Sequence, residues 1–206
     1  MSTRHLSSLV ARVAVGTACV IAAASCGSDM LRTGRAPVYP VVDSIAGVDS
    51  SGGAVSFVQS DVRDDAGSVV NDNVKLTVRA ELKNPSVPGT AINAVNLTRY
   101  HVDYRRTDGH NTPGVDVPYS FDGGLSITVP PGSTADVSFE IVRHQAKLEP
   151  PLKNLDALSS TGERLVSGLG FLSTIAQITI YGHDGNGNEV AVNAQLDVHF
   201  GDFASK

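Results

Sequence analysis

The chain has 206 residues, 41% of them hydrophobic and 18% charged, with a formal net charge of -5. That much apolar material excludes wholesale intrinsic disorder and is enough for one well-buried core. The acidic balance argues against general nucleic-acid binding, which needs a concentrated basic stripe to displace counterions from phosphates.

The first element is an export-type segment. Arg4, His5 and Arg12 precede an apolar run from Val13 to Ala24, which ends in Ala23-Ala24-Ser25-Cys26. A charged start, an apolar stretch and small residues, in that order, make a secretory signal. The apolar run is twelve residues long, short of the ~20 that a membrane-spanning helix needs. Its last residues, Ala23 to Cys26, resemble the lipobox of bacterial lipoproteins, and the resemblance covers residues 1–26. It implies that residues 1–25 are removed and that the Cys26 thiol carries a diacylglyceryl group. Acyl chains of the palmitate class then hold the protein on a membrane in the cell envelope. Ala23 departs from the family's preferred leucine, whereas Ala24 and Ser25 fit it. Gly27, in place of a retaining aspartate, implies the outer membrane in a cell that has two. The run Ala22-Ala23-Ala24 also suits an ordinary signal peptidase, which would release a soluble protein. The lipoprotein reading is preferred because Cys26 falls at the boundary and the only other cysteine, Cys19, lies inside the apolar run. After cleavage one thiol remains, which excludes an internal disulfide and the paired-cysteine zinc layouts. Cleavage also removes two arginines and no acid, so the mature chain is more acidic still.

Residues 26–53 are rich in Gly, Ser, Asp and Pro and read as a lipidated tether, with a strand-like patch at Val38 to Val42 that docks on the domain. The domain proper is expected over 54–206. Val55 and Phe57 begin a period of two. Val74, Leu76, Val78, Ala80 and Leu82 alternate with Lys75, Thr77, Arg79, Glu81 and Lys83, the pattern of a half-buried strand. The pattern returns at Tyr100 to Tyr104, Leu125 to Val129, Val137 to Ile141, Ile178 to Ile180 and Val190 to Phe200. Turn signals such as Asn84-Pro85, Asp108-Gly109, Pro130-Pro131-Gly132 and Asp184-Gly185 separate the runs. The expected fold is therefore all-β, an antiparallel β-sandwich of about seven to nine strands. It is immunoglobulin-like or fibronectin-like only in general form, because the Cys and Trp hallmarks are missing. Val78 to Pro85 with Leu97 to Tyr104 resembles the sandwich of plant desiccation-related proteins over about thirty residues.

Leu148 to Leu172 breaks the period, with Pro150-Pro151 followed by Leu152, Leu155, Leu158, Leu165, Val166, Leu169 and Phe171. It is too apolar for a free loop. The expectation is a cover over one end of the sandwich with a short helical turn near Asn154 to Ser159, its apolar residues packing inward.

Three features carry candidate chemistry. The loop His183-Asp184-Gly185-Asn186-Gly187-Asn188-Glu189 places oxygen ligands at alternate positions like half a calcium loop. Glu189 and Gln195, however, stand where an EF-hand needs glycine and glutamate, so a hairpin turn is expected and no metal. On two strands, Lys75, Arg79 and Lys83 and then Arg99, His101 and Arg105 could form a contact face for an envelope protein or an anionic polymer if the strands were neighbours. Glu81 and Asp103 interrupt it, as on an ordinary solvated face. The acids Asp61, Asp64 and Asp65 could serve acid–base chemistry but read as a solvated loop. His101, His110, His144, His183 and His199 are scattered, and no nucleophile elbow, H-E-x-x-H, S-x-x-K or phosphate-binding glycine loop is present.

The sequence thus points to a membrane-tethered, non-catalytic envelope lipoprotein, an interaction or structural module with no cofactor and no nucleic-acid partner. One alternative is a ligand-binding lipoprotein with an apolar or saccharide site under residues 148–172. An aromatic content of 5% without Trp weighs against sugar stacking. The remaining alternative is a hydrolase whose site is assembled only in space.

Overall fold

Alternation of apolar and polar residues becomes strand throughout the computed structural model, which describes residues 34–64, 66–156 and 170–203. Nine strands follow in order: β1 (Val38–Val48), β2 (Ala54–Val55), β3 (Val58–Asp61), β4 (Asp72–Leu82), β5 (Val95–Arg105), β6 (Phe121–Val129), β7 (Thr134–Val142), β8 (Leu172–Asp184) and β9 (Glu189–Gly201). In β4 the buried side chains are Val74, Leu76, Val78 and Ala80, and the polar residues between them face outward. Among the described residues, helix is confined to α1 (His144–Lys147) and two single 3-10 turns, Ala91–Asn93 and Leu152–Leu155. The described fold is all-β.

The strands form two curled sheets, one in the order β2-β1-β4-β7 and the other β3-β9-β8-β5-β6. Neighbours pair antiparallel except β3 and β9, which run parallel with Val58 opposite Val198. After β2 the chain bends back at Ser56-Phe57 and passes to the second sheet, where β3 runs beside β9 in the same direction. The patch at Val38 to Val42 proves to be the first half of an eleven-residue strand. The compact unit accordingly starts at Arg35 rather than Ala54.

The inner faces meet in one core that includes Leu76, Leu97, Ile141, Ile178, Ile180 and Phe200. Tyr104 is buried among them and its hydroxyl donates to the Ile141 carbonyl of the opposite sheet. This satisfies the phenol and ties β5 to β7. Two glycines make close approaches in the second sheet. A Cβ on Gly182 would lie 2.1 Å from the Asn96 carbonyl oxygen, and one on Gly123 would lie 2.1 Å from the Tyr100 ring.

Registers sort the connections into two ends. The chain enters beside Lys83, whose N–H donates to the Pro37 carbonyl. At this proximal end lie the β4–β5 connection, the Pro130 to Ser133 turn and the Gly185 to Asn188 turn. At the distal end lie residues 49–53, 62–64, 66–71, 106–120 and 143–156. An eleven-residue strand separates the two ends by about 35 Å.

Candidate functional site

The distal end holds the most elaborate side-chain arrangement among the described residues. Lys147 on α1 is fully buried, with Nζ 2.7 Å from the Asp61 carbonyl and 2.9 Å from Asp72 Oδ2. Ser60 Oγ donates to the same carboxylate oxygen at 2.6 Å. Burial pushes the Asp72 carboxyl up from its ordinary value, against the pull of the Lys147 ammonium and the Ser60 hydroxyl. Burial likewise raises Asp61, whose Oδ1 accepts the Phe203 N–H at 3.3 Å. A buried, paired lysine of this kind fixes geometry and adds little net stability, since its desolvation offsets the attraction.

Around this pair the segment from Arg143 to Asp156 is clamped onto the sheets. The Asn71 carboxamide accepts the His144 N–H at 2.6 Å and donates to Glu140 at 2.6 Å. Leu152 is fully buried, and Asp156 pairs with Arg63 at 3.0 Å. The described part of the expected cover, residues 148–156, does close this end. Its helical turn comes at Leu152–Leu155, and Leu155 packs on the core. Leu148 and Phe171 instead face outward, Phe171 being 63% exposed. Leu158, Ser159, Leu165, Val166 and Leu169 fall outside the described residues, as do Cys26 and Asp65.

Beside α1 opens a cleft of about 190 Å³ whose lining includes Tyr119, Phe121, Arg143, Gln145, Glu149 and Pro150. Its floor is the rim of the core, because Phe121 meets Tyr100 edge-on at 6.1 Å. The Arg143 guanidinium lies 4.0 Å above the Phe121 ring and donates to the Asp122 carbonyl. Tyr119 stands at the wall, 58% exposed. The volume is below the roughly 300–1,000 Å³ of small-molecule sites.

The six residues of the prospective contact face are divided between the two sheets. Lys75 and Arg79 lie on β4 and Lys83 just beyond it, whereas Arg99, His101 and Arg105 lie on β5 of the other sheet. The two strands are not neighbours, so no single cationic face forms from them. Acids lie among these cations: Lys75 with Asp136 at 3.4 Å, Arg79 with Asp43 at 3.2 Å, His101 with Asp122 at 3.2 Å and Arg105 with Asp103 at 3.1 Å. Arg99 lies 4.4 Å above the Tyr181 ring.

The calcium-like loop is the β8–β9 hairpin. Asp184 is buried and accepts the backbone N–H groups of Asn186 and Asn188, each at 2.9 Å, and the Asn188 amide at 2.8 Å. Burial pushes its carboxyl up, but these hydrogen bonds together hold it below the ordinary range. Its oxygens are thus consumed in shaping the turn, with Gly187 at φ 79°. Asp64 similarly accepts the Ser68 N–H at 2.6 Å and closes its own turn. His199 is packed between the rings of Phe57 and Phe171.

Residue spacing carries no sign of the Lys147–Asp72 pair or of the cleft, because their members come from β3, β4, β6 and α1. The one local hint was Pro150-Pro151 interrupting the period. No protein-family model and no curated protein matches the chain.

Proposed function

We propose that this chain is a membrane-tethered, non-catalytic lipoprotein of the cell envelope that acts as an interaction module through its distal loops. The observation that carries the reading is the separation of ends. The chain enters the domain at one end, and the longest connections and the cleft gather at the other, about 35 Å away. A lipid on Cys26 would tether the domain through the end at which β1 begins, opposite the distal loops along the chain's course. Loops borne on a rigid sheet scaffold are where binding residues concentrate. Lipid attachment at Cys26 rests on the lipobox-like residues, and an outer-membrane location further requires a cell with two membranes.

We also read the arrangement as immunoglobulin-like. The order β1-β4-β7 opposite β9-β8-β5-β6 parallels the A-B-E and G-F-C-C′ sheets of that architecture. Sandwich form by itself assigns no activity.

The test is intact mass and fractionation of the native protein. Wild type is expected in the membrane fraction with added diacylglyceryl and acyl mass, and Cys26→Ser in the soluble fraction without it. An unmodified Cys26 thiol on native protein would overturn the anchor. A photoreactive side chain placed at Thr107 in the distal loops should crosslink to an envelope protein, and one at Asn188 should not. Equal labelling from both ends would overturn the distal-interaction reading.

A further inference from the structure

We infer that the proximal end of the domain is a membrane-seating face, whose exposed Val87 and Ile92 side chains enter the interface of a lipid bilayer. The inference rests on the tether reading above and gives a role to the end opposite the distal loops.

Charge distribution supplies the first argument. Residues 84–94, the Pro130 to Ser133 turn and the Gly185 to Asn188 turn build this end. None of the three contains an Asp, Glu, Lys or Arg, in a chain that is 18% charged. They adjoin one another, because the Gly185 N–H donates to the Ile92 carbonyl at 3.0 Å and a Cβ on Gly89 would lie 2.7 Å from the Pro131 ring. On this uncharged surface Val87 is 54% and Ile92 50% exposed. Aliphatic side chains so placed gain from burial at the boundary between headgroups and acyl chains. The distal end exposes apolar residues too, but Arg63, Asp64, Arg106, Asp108, Asp116 and Glu149 stand in its loops. Taking charges out of water is costly. The contrast directs the bilayer to the proximal end.

The backbone supplies the second. A loop that leaves bulk water needs partners for its N–H groups. In the β4–β5 connection the Ser86 and Thr90 N–H groups donate to the Asn84 and Asn93 side chains at 3.1 and 3.0 Å. Those of Val87, Asn93 and Ala94 donate to carbonyls of the same loop. Pro85 and Pro88 have no N–H to satisfy.

The course of the chain supplies the third. Cys26 precedes Arg35 by nine residues, a reach of at most about 32 Å. The chain enters β1 beside Lys83, at the uncharged end. A lipid on Cys26 raises the effective concentration of that end at the bilayer, so a seat too weak to bind alone is occupied once tethered. Arg35 and Lys83 border the chain's entry, and cations there suit anionic headgroups.

The test reconstitutes the lipidated full-length protein into phosphatidylethanolamine–phosphatidylglycerol vesicles that contain nitroxide-labelled lipid. Val87→Cys, Ile92→Cys and Val115→Cys each carry an environment-sensitive fluorophore, the last in the distal loops, where Val115 is 68% exposed. The nitroxide should quench labels at 87 and 92 severalfold more than the label at 115, and emission from the first two should shift to the blue. Adding Val87→Asp should weaken quenching at 92 severalfold while the thermal midpoint stays unchanged. Quenching at 87 and 92 no greater than at 115, in protein that floats with the vesicles, would overturn the seat and leave the tether standing. Quenching at 92 that ignores Val87→Asp would overturn it as well. Native protein that carries no acyl mass and does not float removes tether and seat together.

Discussion

Lys147 and Asp72 show how much one buried pair constrains. Replacing Lys147 with Met leaves the Asp72 carboxylate buried beside an apolar chain, and loss of one partner of such a pair costs about 3–5 kcal/mol. The deficit should depend on pH. Burial already holds the folded-state pKa of Asp72 above the ordinary carboxylate value, and removing the ammonium raises it further. A carboxyl raised in the folded state contributes stability that is present below its unfolded pKa and lost as pH rises through the folded one. Urea unfolding of Lys147→Met should therefore show a smaller deficit at pH 5 than at pH 8. A deficit that grows on acidification would mean that the carboxylate is not buried in this way. Gly182 marks a different constraint at the same scale. An alanine Cβ would meet the Asn96 carbonyl of β5 at 2.1 Å, and backbone cannot swing aside as a side chain can. Gly182→Ala should lower the melting temperature by more than Gly124→Ala, where the added methyl meets nothing within 4 Å.

At the scale of elements, the period of two in β4, β5, β7 and β9 was legible because one face of each strand is buried and the other wet. The extent of β1 was not. Only its first half, Val38 to Val42, read as strand, because a bulge at Asp43 shifts the register so that alternation fails midway. Parallel pairing of β3 was equally hidden, since four residues carry too little pattern to show which strand they join. The β8–β9 turn was readable from its Gly and Asn residues alone. Its weight falls on Asp184, whose carboxylate takes three hydrogen bonds. Asp184→Ala should destabilise the fold by about 1–3 kcal/mol through the unpaired N–H groups left behind, and hydrogen exchange should accelerate first at Asn186 and Asn188. The distal clamp escaped sequence reading because its members are joined only by folding. Leu152→Ala empties a fully buried site, costs about 2–5 kcal/mol, and should expose residues 144–156 to proteolysis before the sheets unfold.

For the molecule as a whole, fold class followed from strand patterning, while the separation of its two ends emerged only with strand order. Cys26→Ser should leave the sheet-dominated circular dichroism of the wild-type protein unchanged, since residue 26 lies outside the compact unit Arg35–Lys206. A change in that spectrum would mean that the body depends on its anchor. The course of the chain has a mechanical corollary. It enters at the start of β1 and leaves at the end of β9, at opposite ends of the strands. Tension between a lipid and a partner gripping the far loops would therefore run lengthwise along the sheets. Ladder hydrogen bonds lie across that direction, so many must yield together in shear instead of opening one by one like a zip. A body strung this way is suited to bearing load.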